Sequence, residues 1–154
     1  MEPVGSGGVM IKLTVPGTPT PKGRPRLGRH GTYTPQKTVD YENLIKQHWN
    51  IQYGSALPLE GPLEARVTFI FEVPKSWSKR KKELALEGYT PHTSRPDLDN
   101  LIKCLDALNG LAFKDDSQIS SLTADKYYGP KAMMILELGE ICTYQKRTGN
   151  EHLL

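Results

Sequence analysis

Two pairs of aspartates carry the chemistry that this sequence most readily supports. Asp97 and Asp99 flank Leu98, the first apolar residue of a helical stripe, so both carboxylates must point away from the core at an exposed helix start. Asp115 and Asp116 stand in a turn further along, and the intervening helix can return that turn to the first pair. Carboxylates gathered in a small volume repel one another unless a cation neutralises them. The spacing therefore predicts a site for a divalent metal ion.

The ligand types indicate which metal would bind. Hard oxygen ligands without a neighbouring histidine or cysteine favour Mg²⁺ or Mn²⁺ over zinc. Magnesium suits phosphate chemistry, because it polarises phosphoryl oxygens, lowers the pKa of an attacking water and stabilises the departing oxygen. Lys103 lies four residues after Asp99 on the same side of the helix, where its ammonium could reach a phosphate or steady a carboxylate. The site is therefore suited to metal-dependent phosphate chemistry.

Each of these aspartates also has an ordinary structural explanation. Asp97 and Asp99 could simply favour the positive end of a helix. Asp99 and Lys103 could form a surface ion pair worth about 0.3–0.5 kcal/mol, and Asp115 and Asp116 could be turn residues. An EF-hand loop is excluded, because an apolar residue occupies the third ligand position and no glycine follows it. A bare D-x-D motif also occurs in glycosyltransferases and many phosphotransferases.

Positive charge is concentrated in the first part of the chain. The formal net charge is only +3, yet the stretch from Pro3 to Val39 holds six Lys or Arg and no acid. This asymmetry indicates a polyanionic partner, although a solvated basic loop explains it nearly as well. A second basic cluster, residues 79–82, could likewise contact such a partner or form a solvated helix face. The residues that we expect to contact the phosphates of such a partner are Lys22, Arg24, Arg26, Arg29, Lys79, Arg80, Lys81 and Lys82.

The elements that must position these groups form one small domain. With 154 residues and 37% hydrophobic content, the chain can bury a single core. We predict an α+β fold, with helices against a mixed sheet of about four strands, a terminal β-hairpin turning at Gly129-Pro130, and a structureless loop at Pro16–Pro35. The predicted elements are a strand at Met10–Val15, a helix capped by Thr34 with Pro35 first, a strand at Glu64–Val73, a short helix within Ser76–Glu87, a helix from Leu98 to about Asn109, and strands at Ser117–Tyr128 and Ala132–Leu138.

The remaining features indicate the limits of the domain and the cellular compartment. We expect residues 1–9 to be disordered, residues 10–142 to form the domain, and residues 143–154 to be a polar tail of low order. Cys104 and Cys142 have neither a disulfide nor a metal-ligand pattern, so we interpret them as small buried hydrophobes. No apolar run is long enough to span a membrane and no secretory signal is present, so we expect a cytoplasmic protein.

Three linked segments resemble a known family. The run Arg95-Pro-Asp-Leu-Asp-Asn-Leu-Ile-Lys103, then Leu105-Asp-Ala-Leu-Asn109 and Lys114-Asp-Asp-Ser-Gln-Ile119, is similar to the signature of the RusA family of Holliday junction resolvases. The Pro21-Lys-Gly-Arg-Pro-Arg26 loop and Tyr33-Thr-Pro35 resemble its longer, prophage-borne members. Elsewhere the resemblance is looser.

The resemblance implies specific roles for the acidic residues. It makes Asp97, Asp99 and Asp116 the catalytic, metal-binding aspartates and Lys103 the essential lysine, with Asp115 as a second choice. It further implies a homodimer that depends on Mg²⁺ and cuts four-way DNA junctions by paired nicks, in DNA recombination and repair. A branched-DNA-binding module without catalysis is the alternative. A nucleotide-sugar transferase ranks lower, because the chain is short and lacks a repeated strand-helix pattern.

Overall fold

A four-stranded mixed sheet forms the centre of the structure, a computed structural model that describes residues 10–141. Its strand order is β1-β6-β4-β5, and a separate two-stranded ribbon pairs β2 with β3. The predicted α+β class, with a mixed sheet of four strands, is confirmed. The strands are β1 (Ile11–Pro16), β2 (Arg26–Gly28), β3 (Gly31–Tyr33), β4 (Leu63–Glu72), β5 (Ile119–Gly129) and β6 (Met133–Glu140), and the helices are α1 (Gln36–Tyr53), α2 (Lys79–Leu86) and α3 (Leu98–Ile102).

Strand β4 occupies an interior position in the sheet. Every second side chain, from Leu63 to Phe71, is buried against the core. The strand pairs in parallel with β5 and antiparallel with β6. An apolar strand of this kind is most stable with a hydrogen-bonded neighbour on each side, whereas the more exposed β5 can form an edge.

The position of β4 corrects one prediction about the last two strands. They run antiparallel and are joined by a short turn after Gly129, as predicted. They do not pair with each other, because β4 lies between them. The turn therefore connects two strands that lie on either side of β4, and it does not close a β-hairpin.

Helix α1 packs one face against the sheet. Tyr41, Ile45 and Trp49 are buried on that face, as their helical spacing predicts. The helix begins one residue later than predicted, because Pro35 is its N-cap and Thr34 makes no cap. The carbonyl oxygen of Pro35 accepts hydrogen bonds from the amides of Thr38 and Val39. In a helix with a side-chain cap, a hydroxyl oxygen would accept one of these amide hydrogens.

The segment after Asp97 differs in its winding from the single α-helix predicted. Helix α3 ends at Ile102, and a 3₁₀ segment continues from Lys103 to Leu108. In a 3₁₀ segment, residues three apart lie on the same face, and the buried residues Leu101, Cys104 and Ala107 have this spacing. The change in winding decides which polar side chains after Lys103 face the functional site.

The loop at Pro16–Pro35, called the basic loop from here on, is more ordered than predicted. Instead of being structureless, it contains the β2–β3 ribbon, whose two-residue turn is Arg29-His30. Its first half is attached to the helices, because the Lys22 amide donates to the Asn100 carbonyl (3.2 Å) and the Gly23 amide donates to Thr38 Oγ1 (2.8 Å). The loop therefore forms a fixed wall beside α3.

Three further predictions concern the periphery. Cys104 is buried next to Met134, with 3.6 Å between the two sulfur atoms, as expected of a small hydrophobe. No helix within residues 10–141 is long and apolar enough to cross a membrane. The predicted disordered segment 1–9, Cys142 and the predicted tail 143–154 lie outside the described residues.

Candidate active site

The first aspartate pair stands at the start of α3. Asp97 occupies the N-cap position, but its side chain makes no capping hydrogen bond. Asp99 lies in the first turn, and both residues are exposed while Leu98 is partly buried against the core. Within residues 10–141, neither carboxylate belongs to an ion pair. Both are therefore available to a ligand.

Lys126 fixes the backbone that leads into this pair. It lies on β5, and its ammonium donates to the carbonyl oxygens of Ser94 (2.8 Å) and Pro96 (3.0 Å). These carbonyls immediately precede Asp97, so the lysine attaches the start of α3 to the sheet. Sequence reasoning missed this role, because a lysine on an edge strand is usually interpreted as a solvated residue that prevents strand pairing.

The second pair is organised by a capping box. The amide of Ser117 donates to the Asp115 carboxylate (3.0 Å), and the Asp115 amide donates to Gln118 Oε1 (2.9 Å). The Gln118 amide group in turn donates to the carbonyl oxygens of Leu59 and Gly61. Asp115 is thus a structural cap, and Asp116 is the member of the pair whose side chain is left for another partner.

That partner is Asp106, on the 3₁₀ segment. The hydrogen bond with Asp106 raises the pKa of Asp116, and burial and the negative charges of Asp106 and Asp115 act in the same direction. Partial burial opposes ionisation of Asp106, but hydrogen bonds from Lys22 and Asp116 outweigh it and lower the pKa of Asp106. Of the two carboxyl groups, Asp116 therefore takes up a proton more readily than Asp106.

Lys22 completes this group from the basic loop. Its Nζ donates to Asp106 Oδ2 at 2.9 Å and lies 3.8 Å from Glu42 Oε2. The hydrogen bond with Asp106 raises the pKa of Lys22. We predict a DNA phosphate as its partner from the sequence, whereas the structure places its ammonium on the acidic pair.

Lys103 is exposed and lies three residues before Asp106 in the 3₁₀ segment. Its Nζ donates to Asn100 Oδ1 at 3.1 Å, so the ordinary ion pair with Asp99 is not formed. Its positive charge also contributes to the lowered pKa of Asp106. An ammonium with a neutral partner keeps its charge available for a phosphate.

The predicted metal ligands are divided between two groups. Asp97 and Asp99 stand at the start of α3, and Asp116 pairs with Asp106. Across the described part of the chain, no three acidic, histidine or cysteine side chains lie close enough together to bind a metal ion. Sequence reasoning missed Asp106, although its position three residues after Lys103 marks the same face of a 3₁₀ turn.

A cleft adjoins the first group. Its volume is about 830 Å³, and it lies between the basic loop and the start of α3. Asp97 and Asn100 line it from α3, and Arg24 and Arg26, two of the predicted DNA contacts, line it from the loop. One carboxylate, that of Asp97, and several cationic side chains therefore share one cavity.

Comparison with known proteins matches this chain to a nuclease family. The sequence profile of the family described as endodeoxyribonuclease RusA matches residues 16–138. The chain belongs to the RusA family. It is also 34% identical over 137 residues to "Uncharacterized protein YqaN" of Bacillus subtilis (strain 168), covering 85% of this chain and 96% of that protein. The RusA match includes every element that positions the two acidic groups.

The other predicted DNA contacts of this RusA-family chain lie away from the cleft lining. Arg29 is exposed in the turn of the β2–β3 ribbon. The α2 cluster, residues 79–82, lies on a helix that packs against β5, and Ser78 caps it by accepting the Lys81 amide. Lys81 Nζ stands 4.1 Å from the centre of the Trp77 ring, a cation–π contact. One of these four cations thus already has a partner within the protein.

Proposed function

We propose that this chain is a Mg²⁺-dependent endodeoxyribonuclease that resolves four-way junctions and related branched DNA by paired phosphodiester hydrolysis. The observation that carries the proposal is that Asp97 lines the same cleft as a set of lysine and arginine side chains. Cations attract the phosphate backbone, and the carboxylate bears the metal that hydrolysis requires. Membership of the RusA family supports the same activity.

The donor chemistry of the two acidic groups suits magnesium. Asp97 and Asp99 are exposed oxygen donors, and the crowding that raises the pKa of Asp116 would be relieved by a cation. We propose that these three residues hold Mg²⁺ once bound DNA brings the two groups together, and that Mn²⁺ can substitute because it prefers the same ligands. When bound, the metal supplies polarisation of the phosphate and a water of lowered pKa.

The lysines of the site complement the carboxylates. Lys103 has a neutral partner, and we assign it to stabilising the charge that develops on the phosphate. Lys22 keeps Asp106 ionised through a hydrogen bond of 2.9 Å. Asp106 thereby stays an acceptor toward Asp116 and orients it.

A homodimer would explain paired cleavage. Two identical sites related by a two-fold axis can cut two equivalent strands of a junction that is itself nearly two-fold symmetric. One protomer offers a single set of these aspartates, so it can cut one strand at a time. We therefore propose that the active unit is the dimer.

A labelled synthetic four-way junction tests the proposal. With the wild-type protein we expect nicked products in Mg²⁺ and none in EDTA. Asp97→Asn should bind the junction but not cut it, because the amide is a poor magnesium ligand. Asp40→Asn is the matched control, since Asp40 is an exposed aspartate that only hydrogen-bonds Gln36 on α1. Full cleavage by Asp97→Asn would refute the assignment.

The separation of the acidic groups favours one alternative. If no three of these side chains assemble around a metal on DNA, the protein would be a branched-DNA-binding module. Binding of the junction without any product in Mg²⁺ or Mn²⁺ would support that function.

A further inference from the structure

The cleft beside Asp97 has apolar walls. Four proline rings and the buried Phe71 of β4 contribute to them. The side chains of proline and phenylalanine offer apolar surfaces without hydrogen-bonding groups. The four prolines are Pro19, Pro21, Pro35 and Pro96.

The rim of the cleft is cationic. The lining includes four cationic side chains and one carboxylate, that of Asp97. The cleft is therefore suited to a ligand that combines an anionic part with a flat apolar part. The four cations are Arg24, Arg26, Lys37 and Arg95.

The walls are held in place without a ligand. The loop wall is tied to α3 through the Lys22 amide and to α1 through the Gly23 amide. A Cβ atom at Gly23 would lie 2.9 Å from Pro35 Cγ and 3.2 Å from Thr38 Oγ1, so only glycine lets the loop approach this closely. Lys126 holds the opposite wall through Pro96. A preorganised cavity loses little ordering entropy on binding.

A nucleotide combines these two chemical features. Its phosphate is anionic and its base is flat and largely apolar on both faces. The cleft volume of about 830 Å³ falls within the range of roughly 300–1,000 Å³ that is typical of small-ligand sites. In duplex DNA the base faces are hidden by stacking, so only an unpaired nucleotide can present them to such walls.

We infer that the cleft receives one nucleotide unstacked from the branch point, with its base between the proline walls and its phosphates on the arginine rim. This inference rests on the proposed function, because Asp97 at the cleft places the unstacked nucleotide next to the phosphate to be cut. It also explains a preference for branched DNA. Unstacking costs least where base pairs are already strained or open, as at a junction.

Fluorescence of 2-aminopurine tests the inference. A synthetic junction carries this base analogue at each position flanking the branch point, one position per substrate. The protein carries Asp116→Asn to keep the DNA intact, since Asp116 does not line the cleft. We expect a severalfold rise in fluorescence at one position on binding in Mg²⁺, because the analogue brightens when it leaves the stack.

Two variants in the same background show whether the cleft is responsible. Thr18→Trp fills the cleft from an exposed lining position, so it should abolish the rise and weaken junction binding about tenfold, as loss of one stacked base would. Thr123→Trp adds the same bulk at an exposed position of β5 and should leave both unchanged. Arg24→Ala should also reduce the rise, whereas Lys46→Ala on the exposed side of α1 should not.

The outcomes separate this inference from the proposed function. Metal-dependent cleavage by the wild type with no fluorescence rise at any position would overturn the inference and leave the nuclease intact. So would a rise that Thr18→Trp does not alter, because the base would then be unstacked elsewhere. Absence of cleavage by the wild type would instead refute the proposed function.

Discussion

Replacing Lys126 with methionine tests whether the sheet positions Asp97, the aspartate that we propose to be catalytic. The variant keeps most of the apolar side-chain stem but removes the ammonium that binds the carbonyl oxygens of Ser94 and Pro96. The segment before Asp97 would then lose its attachment to β5. We expect Asp97 to occupy a broader range of positions as a result.

The size of the effect follows from these two contacts. A hydrogen bond to a charged group contributes about 1.5–3 kcal/mol. The hydrogen bond to Ser94 is exposed and the one to Pro96 is only partly buried. Water can take the place of the lysine at both carbonyls, so the two bonds contribute less to stability than buried ones would. We therefore expect Lys126→Met to lower the free energy of unfolding by about 1–2 kcal/mol, or roughly 2–8 °C in Tm. A displacement of about 1 Å at a catalytic group can cost about 100-fold in rate.

Three measurements belong together in this test. Cleavage of a labelled junction under single-turnover conditions should slow by about 10- to 100-fold. The junction Kd should change little, because the cationic side chains of the cleft remain. Lys131→Met, in the exposed turn after β5, is the matched control and should behave as the wild type.

A titration of His92 tests whether the Lys126 ammonium lies where the structure places it. His92 packs between Phe71 (4.7 Å between ring centres) and Tyr128 (4.5 Å). Burial and then the positive charge of Lys126 lower the pKa of His92. Lys126→Met should raise the pKa of His92 toward its ordinary value, as observed by NMR. Wild-type cleavage rates together with an unchanged His92 pKa would refute the argument.

Three further predictions concern the acidic pair and the loop. Ionisation of Asp116 is disfavoured in the folded state, so the stability contributed by its protonated form is lost as pH rises through its raised pKa. Asp116→Asn should therefore raise the Tm in EDTA at neutral pH. An unchanged Tm would argue against crowding of the carboxylates. Gly23→Val should lower the free energy of unfolding by about 1–3 kcal/mol in denaturant titrations, because its side chain would press on Pro35; wild-type stability would show that the loop can move away. Replacing Arg24 and Arg26 with alanine should reduce the slope of log K against log salt for junction binding by about 2, and an unchanged slope would remove them from the interface.

The sequence by itself determined the features that depend on near neighbours along the chain. Leu98 must be inward in any helix that buries the apolar stripe, so the exposure of Asp97 and Asp99 followed from spacing alone. The buried face of α1 and the alternation of β4 were equally predictable. These patterns are local, because backbone geometry fixes which side chains share a face within a few residues.

Contacts between distant segments were decided only by the tertiary structure. The insertion of β4 between β5 and β6 depends on which strand gains most from two neighbours, a comparison across the whole sheet. The contacts of Asp106 with Lys22 and of Lys126 with Pro96 join residues far apart in the chain. These groups meet because the packed elements set the distance between them, and local periodicity contains no information about that distance.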